Sequence, residues 1–586
     1  MKKKLRMALL LTLCAALLSG CVPLLETESS GDGTVTVGGR HLAVEKDGTP
    51  AAVFPEDESL YAGEDTDVVC FYVTVLGGNA ADGTDHSLLE VNRYLNLQGM
   101  TGVEKIKTEV LVQVGDEEGP LEGEVGFNDL SSNATMNVRG RTSTGYPQKS
   151  YRITLFDNAG FWRGQRAIAL NKHPADITRL RNALYFKLLQ DVPAIPSLRT
   201  QFVHLYMRDQ SGDTPQTAYT DCGLYTQVEL PNNRYLRNHA LSMDGSLYKA
   251  NMCEMFRYPE ALKLSTDPTY DQTAFEEVLE SKTGDDHTKL LQMLDTVNDY
   301  SIPTEELLDT YFDVDNLTSY LAFNLLMGND DSDAQNYLLY SPLDSSRWYY
   351  ICWDGDDCLN ETEGTLRDTN WQIGEWTRGI SNYWGVVLFN RALRLPAFRE
   401  ALHQKIELLR QTITPDRVAA LIADYRAVVD PFTQSLPDSV YLRSNQAIRD
   451  QVLSGMPQEL ESSYRHYLDS LEKPMPFFQG DAEIEDGSLV LTWGESYDLD
   501  GEFLRYDVQL CQDWQFEDVL WEQKGLLDTS VSLPLPEAGE YYWRVTVANE
   551  SGHTQSSFDS VITDTGAHNG MRRFTITQDG TVVNPE

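Results

Sequence analysis

Three oxygen-bearing side chains between positions 331 and 354 carry the clearest chemistry in the sequence. Asp331 stands five residues ahead of Asn336, and a second carboxylate, Asp354, follows two strand-like runs, Asn336 to Ser341 and Trp348 to Trp353. The runs are rich in Tyr, Leu and Trp and are separated by a Pro/Asp/Ser turn, which is the signature of a hairpin. Pairing them about that turn sets Asn336 opposite the end of the second strand, where Asp354 lies, so the three groups converge at one end. Two carboxylates and an amide are hard oxygen ligands suited to Mg2+ and a phosphoryl donor. Asp356 is a candidate supporting ligand. Each residue also has a plainer reading alone: Asp330, Asp331 and Asp333 as a solvated acidic loop, Asn336 as a turn residue.

The elements that must position these groups are legible on either side. Leu317, Tyr320, Leu321 and Leu325 recur at helical spacing and Gly328 is a stop signal, so a helix is predicted to deliver the acidic loop. Upstream, Val138 to Leu155 places Gly140, Gly145 and small hydroxyl residues in a loop before a strand that bears Lys149. Such a loop can offer backbone N–H groups to a phosphate while a lysine neutralises it, although Gly/Ser/Thr turns before strands are also ordinary structure.

Length and charge bound the rest. At 586 residues the chain exceeds one ordinary core, so two or three domains are expected. The 47 basic and 89 acidic residues leave a formal charge of −42, which repels nucleic acid and anionic membrane surfaces and suits a cationic protein partner or simple solubility. No C-x-x-C or H-x3-H spacing occurs, so no zinc site is expected, and the pairing of the cysteines is left open.

The first 21 residues read as an export signal: Lys2, Lys3, Lys4 and Arg6, an apolar run from Met7 to Leu18, then Leu18-Ser19-Gly20-Cys21. This ending resembles a bacterial lipobox, which implies lipidation at Cys21 and an extracytoplasmic protein anchored to the cell membrane through that lipid. Residues 22–66 have the composition of a flexible linker, with a short strand at Thr34 to Val37. A mixed α+β region spans 67–472, and Lys473-Pro474-Met475-Pro476 marks a boundary. Residues 476–564 show short alternating strands at the spacing of a small all-β sandwich and resemble a fibronectin type III domain around Trp493 and Gly539 to Asn549. Residues 565–586 read as a polar tail.

Several motifs fall in one order: Arg139-Gly140, Thr142 to Arg152, Leu180-Arg181-Asn182, Gly223 to Glu229, Ser246 to Ala250, the Asp331/Asn336 loop, and Trp353-Asp354 with Asp356. Together they resemble the CotH kinase family of spore-coat-type proteins over about residues 67–472. The resemblance implies an atypical protein-kinase-like bilobal domain and phosphorylation of Ser/Thr in a protein, using ATP and Mg2+, or Mn2+ in its place. It gives Asp331 the catalytic role of placing the acceptor hydroxyl, and Asn336, Asp354 and Asp356 the metal. Lys149, Arg139, Gly140 and Gly145 would steady the phosphates. Glu229 has three open roles: contact with nucleotide or lysine, satisfaction of buried backbone, or pairing with Arg181. The chain departs from the family pattern at Gln148-Lys149, where two basic residues are frequent, and it has neither H-R-D before the loop nor D-F-G after the hairpin. A different class also fits an exported protein, because ATP is scarce outside a cell: a non-catalytic structural or adhesive surface lipoprotein that binds through its kinase-like fold and sandwich.

Overall fold

The computed structural model describes residues 58–585 apart from 62, 64, 96–105, 213, 368 and 370–372, together with three strands nearer the start. Those strands, Glu28–Ser30 (β1), Thr34–Val37 (β2) and Arg40–Ala43 (β3), form an antiparallel sheet within the unit Met1–Pro55. The strand expected at Thr34 to Val37 is present. Cys21 and the rest of the export signal lie outside the described residues, as does most of the expected linker.

The second unit, Glu56–Glu586, opens with a sheet that closes on itself. Its strands are Val68–Val75 (β4), Thr108–Asp116 (β5), Gly119–Pro120 (β6), Ala134–Arg139 (β7), Ser150–Leu155 (β8), Ala167–Asn171 (β9), Thr200–Asp209 (β10) and Thr220–Val228 (β11), in the order β4-β10-β11-β9-β8-β7-β5-β6. Because β4 also pairs with β5, from Cys70↔Gly115 to Val75↔Val110, the ladder becomes a barrel. Every second residue explains the closure: Phe71, Val73 and Val75 on β4, Val110, Val112 and Val114 on β5, and Val203, Leu205 and Met207 on β10 fill one interior.

A second sheet lies beyond the barrel strands. Ser246–Ala250 (β12), Leu279–Ser281 (β13), Tyr337–Ser341 (β14) and Tyr349–Cys352 (β15) run antiparallel in the order β13-β12-β14-β15. The anticipated hairpin is β14–β15, in the register Tyr337↔Cys352 to Tyr340↔Tyr349. The principal helices are Arg181–Leu189 (α1), Val314–Met327 (α2), Pro396–Thr412 (α3), Pro415–Thr433 (α4) and Gln446–Glu472 (α5). α2 is buried from Asn316 to Met327, begins where the Asp313 carboxylate accepts from Asn316 N, and stops at Gly328 in a left-handed turn.

The helical part clips onto the barrel between α4 and α5, where a short turn, Asp438–Tyr441, lies against β11. The Asp438 carboxylate accepts from Lys172 Nζ at 2.6 Å, Gln148 Nε2 at 2.7 Å and Leu224 N at 2.9 Å. Gly223, at φ +75°, is required here, since a Cβ would stand 2.3 Å from Asp438 Oδ2.

The C-terminal strands form a sandwich. One sheet has Glu483–Glu485 (β16), Ser488–Thr492 (β17) and Ser530–Pro534 (β20); the other has Arg505–Cys511 (β18), Trp521–Leu526 (β19), Gly539–Ala548 (β21), Thr554–Ser556 (β22), Met571–Ile576 (β25) and Val582–Val583 (β26). A ribbon of Ser560–Thr563 (β23) and Gly566–Asn569 (β24) links β22 to β25. Leu489, Leu491, Trp493, Val508, Trp543, Val545 and Phe574 fill the core between the sheets. The expected polar tail from 565 is corrected: β25 pairs with β21 from Gly539↔Ile576 to Arg544↔Met571, and Phe574 is fully buried. Two adjacent arginines, Arg572 and Arg573, interrupt the alternation that would have marked this strand.

The six cysteines of the described residues are free thiols, and no described helix is long and apolar enough to cross a membrane.

Candidate active site

The open end of the β14–β15 hairpin gathers the predicted groups. Asn336 and Asp354 flank it, and Trp353 N donates to Asn336 O at 3.1 Å. Both residues take left-handed backbone, at φ +56° and +53°. Asn and Asp tolerate that conformation best among residues with a Cβ. The Asn336 amide donates to Asp331 Oδ2 at 2.7 Å and to the Asp331 carbonyl at 3.0 Å, while Gln335 Nε2 donates to Asp331 Oδ1.

The acidic loop is braced, not merely solvated. Tyr320 on α2 donates to Ser332 O at 2.6 Å, the Ser332 hydroxyl bonds Asn329 O and the Tyr383 hydroxyl, and Asn382 Nδ2 holds Asp330 O at 2.8 Å. Cys253 N, just past β12, donates to Ala334 O at 2.7 Å. All of these contacts except the Ser332–Tyr383 hydroxyl pair fix backbone between Asn329 and Ala334, so the direction of Asp331 is set by the fold.

Asp354 is set from α1. Asn182 Nδ2 donates to Asp354 Oδ1 at 3.1 Å, and the neighbouring Arg181 bonds Asp176 and Glu363, each at 2.8 Å. Glycine is needed between the two acids of the Asp354-Gly355-Asp356 segment, because a Cβ on Gly355 would meet the Tyr185 ring at 2.0 Å. Asp356 stands at 3.4 Å from His173 Nδ1.

Carboxylates crowd this end, and burial outweighs the cations that act on them. Burial first, then the charge of Asp357 and that of Asp354, raises the Asp331 carboxyl to about 7. Asp354 is also raised to about 7, by burial and by Asp356, against the pull of His173, Arg139 and Lys249. Burial lifts Asp330 to about 8 and Asp333 to about 6. A cation would relieve this crowding. The donor set suits Mg2+: Asp354, Asp356 and Asn336 supply hard oxygens, and Asn182 Oδ1 is buried beside Asp354 without a hydrogen-bond partner. Among the described residues no group of three or more His, Cys, Asp or Glu side chains is placed to hold a metal ion by itself.

The remaining candidates fall elsewhere. Lys149 Nζ turns back to Thr144 O at 2.5 Å, so its ammonium braces the loop that was expected to hold phosphate. In that loop Gly140 is left-handed, at φ +103°, and Gly145 faces open space. Arg139 does face the site: it acts on Asp354 and bonds Asn171 Oδ1. Glu229 is fully buried and accepts from Gln165, Asn238, His239 and Arg199 N. It therefore serves the buried backbone and its neighbours, and the expected alternative of a pair with Arg181 is not realised. Residues with no assigned role in the sequence reading are Asn182, Lys249 and His173. The first two lay inside recognised motifs, whereas His173 is brought to Asp356 only by the fold.

Comparison with known proteins supplies the remaining observation. The family model described as CotH kinase protein matches residues 136–468, more than half of the chain. Two solved chains match; one, from the crystal structure of the Golgi casein kinase, is similar over 57% of this chain and 73% of its own, at 10% identity and a TM-score of 0.25. No curated protein matches. The family match encloses Asp331, Asn336 and Asp354 at the hairpin end, and by its extent the chain belongs to the CotH kinase family.

Proposed function

We propose that this protein transfers a phosphoryl group from ATP, with Mg2+ or Mn2+, to a Ser or Thr hydroxyl of a protein partner. We further propose that it works outside the cytoplasmic membrane, held there by lipid on Cys21, with the sandwich as a fibronectin type III-like accessory domain. The observation that carries the reading is the direct contact of Asp331 with Asn336, at 2.7 Å, at the hairpin end that also bears Asp354.

When bound, the metal-nucleotide supplies the phosphoryl group and neutralises the charge that develops on it. The chain does the placing. Asp331, raised to about 7 by burial, stands near the protonation midpoint at neutral pH and can orient an acceptor hydroxyl and take its proton. Asn336, Asp354 and Asp356 would hold the metal, and Asn182 fixes the angle of Asp354 through its 3.1 Å bond. The braced loop keeps Asp331 in place without substrate, which lowers the cost of orienting it.

Replacing Asp331 with Asn removes the proton acceptor while keeping the shape. The Asp331→Asn protein should still gain thermal stability from Mg2+ and ATP. Its transfer of labelled phosphate to protein should fall by about 10²–10⁴-fold. Transfer by that variant at wild-type rate would remove Asp331 from the role. A wild-type protein that gains no stability from millimolar ATP and Mg2+ would instead indicate a non-catalytic binding protein.

A further inference from the structure

A partly open cavity of about 280 Å3 lies beside the acidic loop, walled by the end of α2, by Asn329 and Asp330, by residues 377–383 and by α5. These segments are tied together around it. Asn329 Nδ2 donates to Asn324 Oδ1 on α2 at 3.1 Å, Asn382 Nδ2 to Asp330 O at 2.8 Å, and Ile380 N to Ser470 Oγ on α5 at 3.0 Å. Gly328 lets α5 come close, since a Cβ there would stand 2.8 Å from Ser463 Oγ.

The wall carries oxygen atoms that no donor satisfies. Asn329 is 2% exposed, and its Oδ1 is buried without a hydrogen-bond partner. Asn382 and Ser463 are also buried, and among the described residues nothing donates to Asn382 Oδ1, to Ser463 Oγ or to the Asp330 carboxylate. Buried polar atoms normally find a partner, so four such oxygens around one space call for a guest that accepts lone pairs. The basic side chains on the wall are engaged elsewhere: Arg378 and His466 turn to Glu361, at 3.7 and 3.3 Å. Burial lifts the Asp330 carboxyl to about 8, with Arg378 pulling against it and Asp357, Glu361 and Asp331 adding to the rise. The last turn of α2 contributes partial negative charge at the same place.

The oxygen set also limits the kind of cation. One carboxylate among neutral amide and hydroxyl oxygens balances a single positive charge. Mg2+ gives up its water reluctantly, whereas a monovalent ion exchanges its hydration shell for neutral protein oxygens.

We propose that this cavity binds one monovalent metal cation, Na+ or K+, through the Asp330 carboxylate, Asn329 Oδ1, Asn382 Oδ1 and Ser463 Oγ. Asn329 and Asp330 immediately precede Asp331, so an ion held by both stiffens the loop that aims it and joins that loop to α5. The effect on transfer rests on the phosphotransferase reading; the binding itself does not.

Melting of the full chain at pH 8 in NaCl, KCl and N-methylglucamine chloride, at equal ionic strength and with divalent ions chelated, tests the site. The melting temperature should be about 2–4 °C higher in Na+ or K+ than in the organic cation, and the larger shift names the ion. Asp330→Asn keeps the shape and removes the charge; it should lose the difference while retaining the circular dichroism of the wild type. Ser463→Ala should raise the salt concentration at half effect roughly fivefold. Crystals soaked in RbCl should show an anomalous peak between Asp330 and Ser463, a readout that depends on no variant. Equal melting in the three salts, a difference that survives in Asp330→Asn, or a cavity without Rb+ would overturn the site. Phosphate transfer in the same salts should be several-fold faster with the preferred ion, and transfer indifferent to the salt would overturn the link to Asp331. A cation shift in a wild-type protein that transfers no phosphate would uphold the ion site and remove the phosphotransferase reading.

Discussion

Asp331 accepts from two amides at once, Gln335 on one oxygen and Asn336 on the other, and so is oriented by the chain itself before any partner arrives. Its neighbours share its electrostatic condition. Asp331 and Asp354 at about 7, Asp330 at about 8 and Asp333 at about 6 all lie above the ordinary carboxyl value of 3.8. A carboxyl whose folded pKa is raised binds protons more tightly in the folded state, so its contribution to stability is full below about 4 and is lost as pH rises through the folded value. The metal-free protein should therefore melt at progressively lower temperature between pH 5 and pH 8.5. Mg2+ should restore more stability at pH 8 than at pH 5, because it competes with protons for the same oxygens. Calorimetric scans at each pH with EDTA or Mg2+ check this, and a Mg2+ effect independent of pH would speak against a metal at this cluster.

At the scale of elements, the clip between the helical part and the barrel is a buried ion pair. The Lys172 and Asp438 side chains are 1% and 5% exposed, and Lys172 also donates to Cys222 O and Leu224 O. Removing one partner leaves a buried charge uncompensated, at a cost of about 3–5 kcal/mol. Asp438→Ala should lower the urea midpoint accordingly, and adding Lys172→Met should recover part of the loss; an Asp438→Ala protein as stable as the wild type would show the clip to be unimportant. Much of this scale was legible in the sequence. The β14–β15 hairpin and the end of α2 at Gly328 follow from turn residues and a glycine stop. What was hidden is long-range. Closure of the barrel depends on β4 meeting both β5 and β10, which no local pattern encodes. Lys149 was read as a phosphate contact because a lysine after a glycine loop has that habit, but its direction depends on the Thr144 carbonyl, and the cations that face Asp354 come from other strands. Glu229 likewise carried no local sign that His239, Asn238 and Gln165 would enclose it.

For the molecule as a whole, the sandwich depends on residues beyond its apparent end. β25 is flanked by β21 and β26, and it delivers Phe574 and Ile576 to the core. Truncation after residue 564 should abolish the sandwich's own unfolding transition, whereas truncation after 585 should leave it intact; near-UV circular dichroism of Trp493 and Trp543 reports the difference. The sandwich also touches its neighbour: Asn549 Nδ2 donates to Glu472 O at the end of α5, and Trp376 meets Phe558 edge-on at 5.0 Å. Loss of its fold should thus reach the segment around Trp376.

The Asp438 clip has one more consequence, for motion. A turn anchored on one side by α4 and α5 and on the other by Lys172, Gln148 and the β11 backbone ties both halves of the domain at a point remote in sequence from the hairpin. Two bodies fastened in this way cannot swing apart like a hinged jaw without first breaking a dry ion pair. Under the proposed phosphotransferase reading, donor would enter and product would leave through local rearrangements at the mouth of the cleft and not by separation of whole lobes.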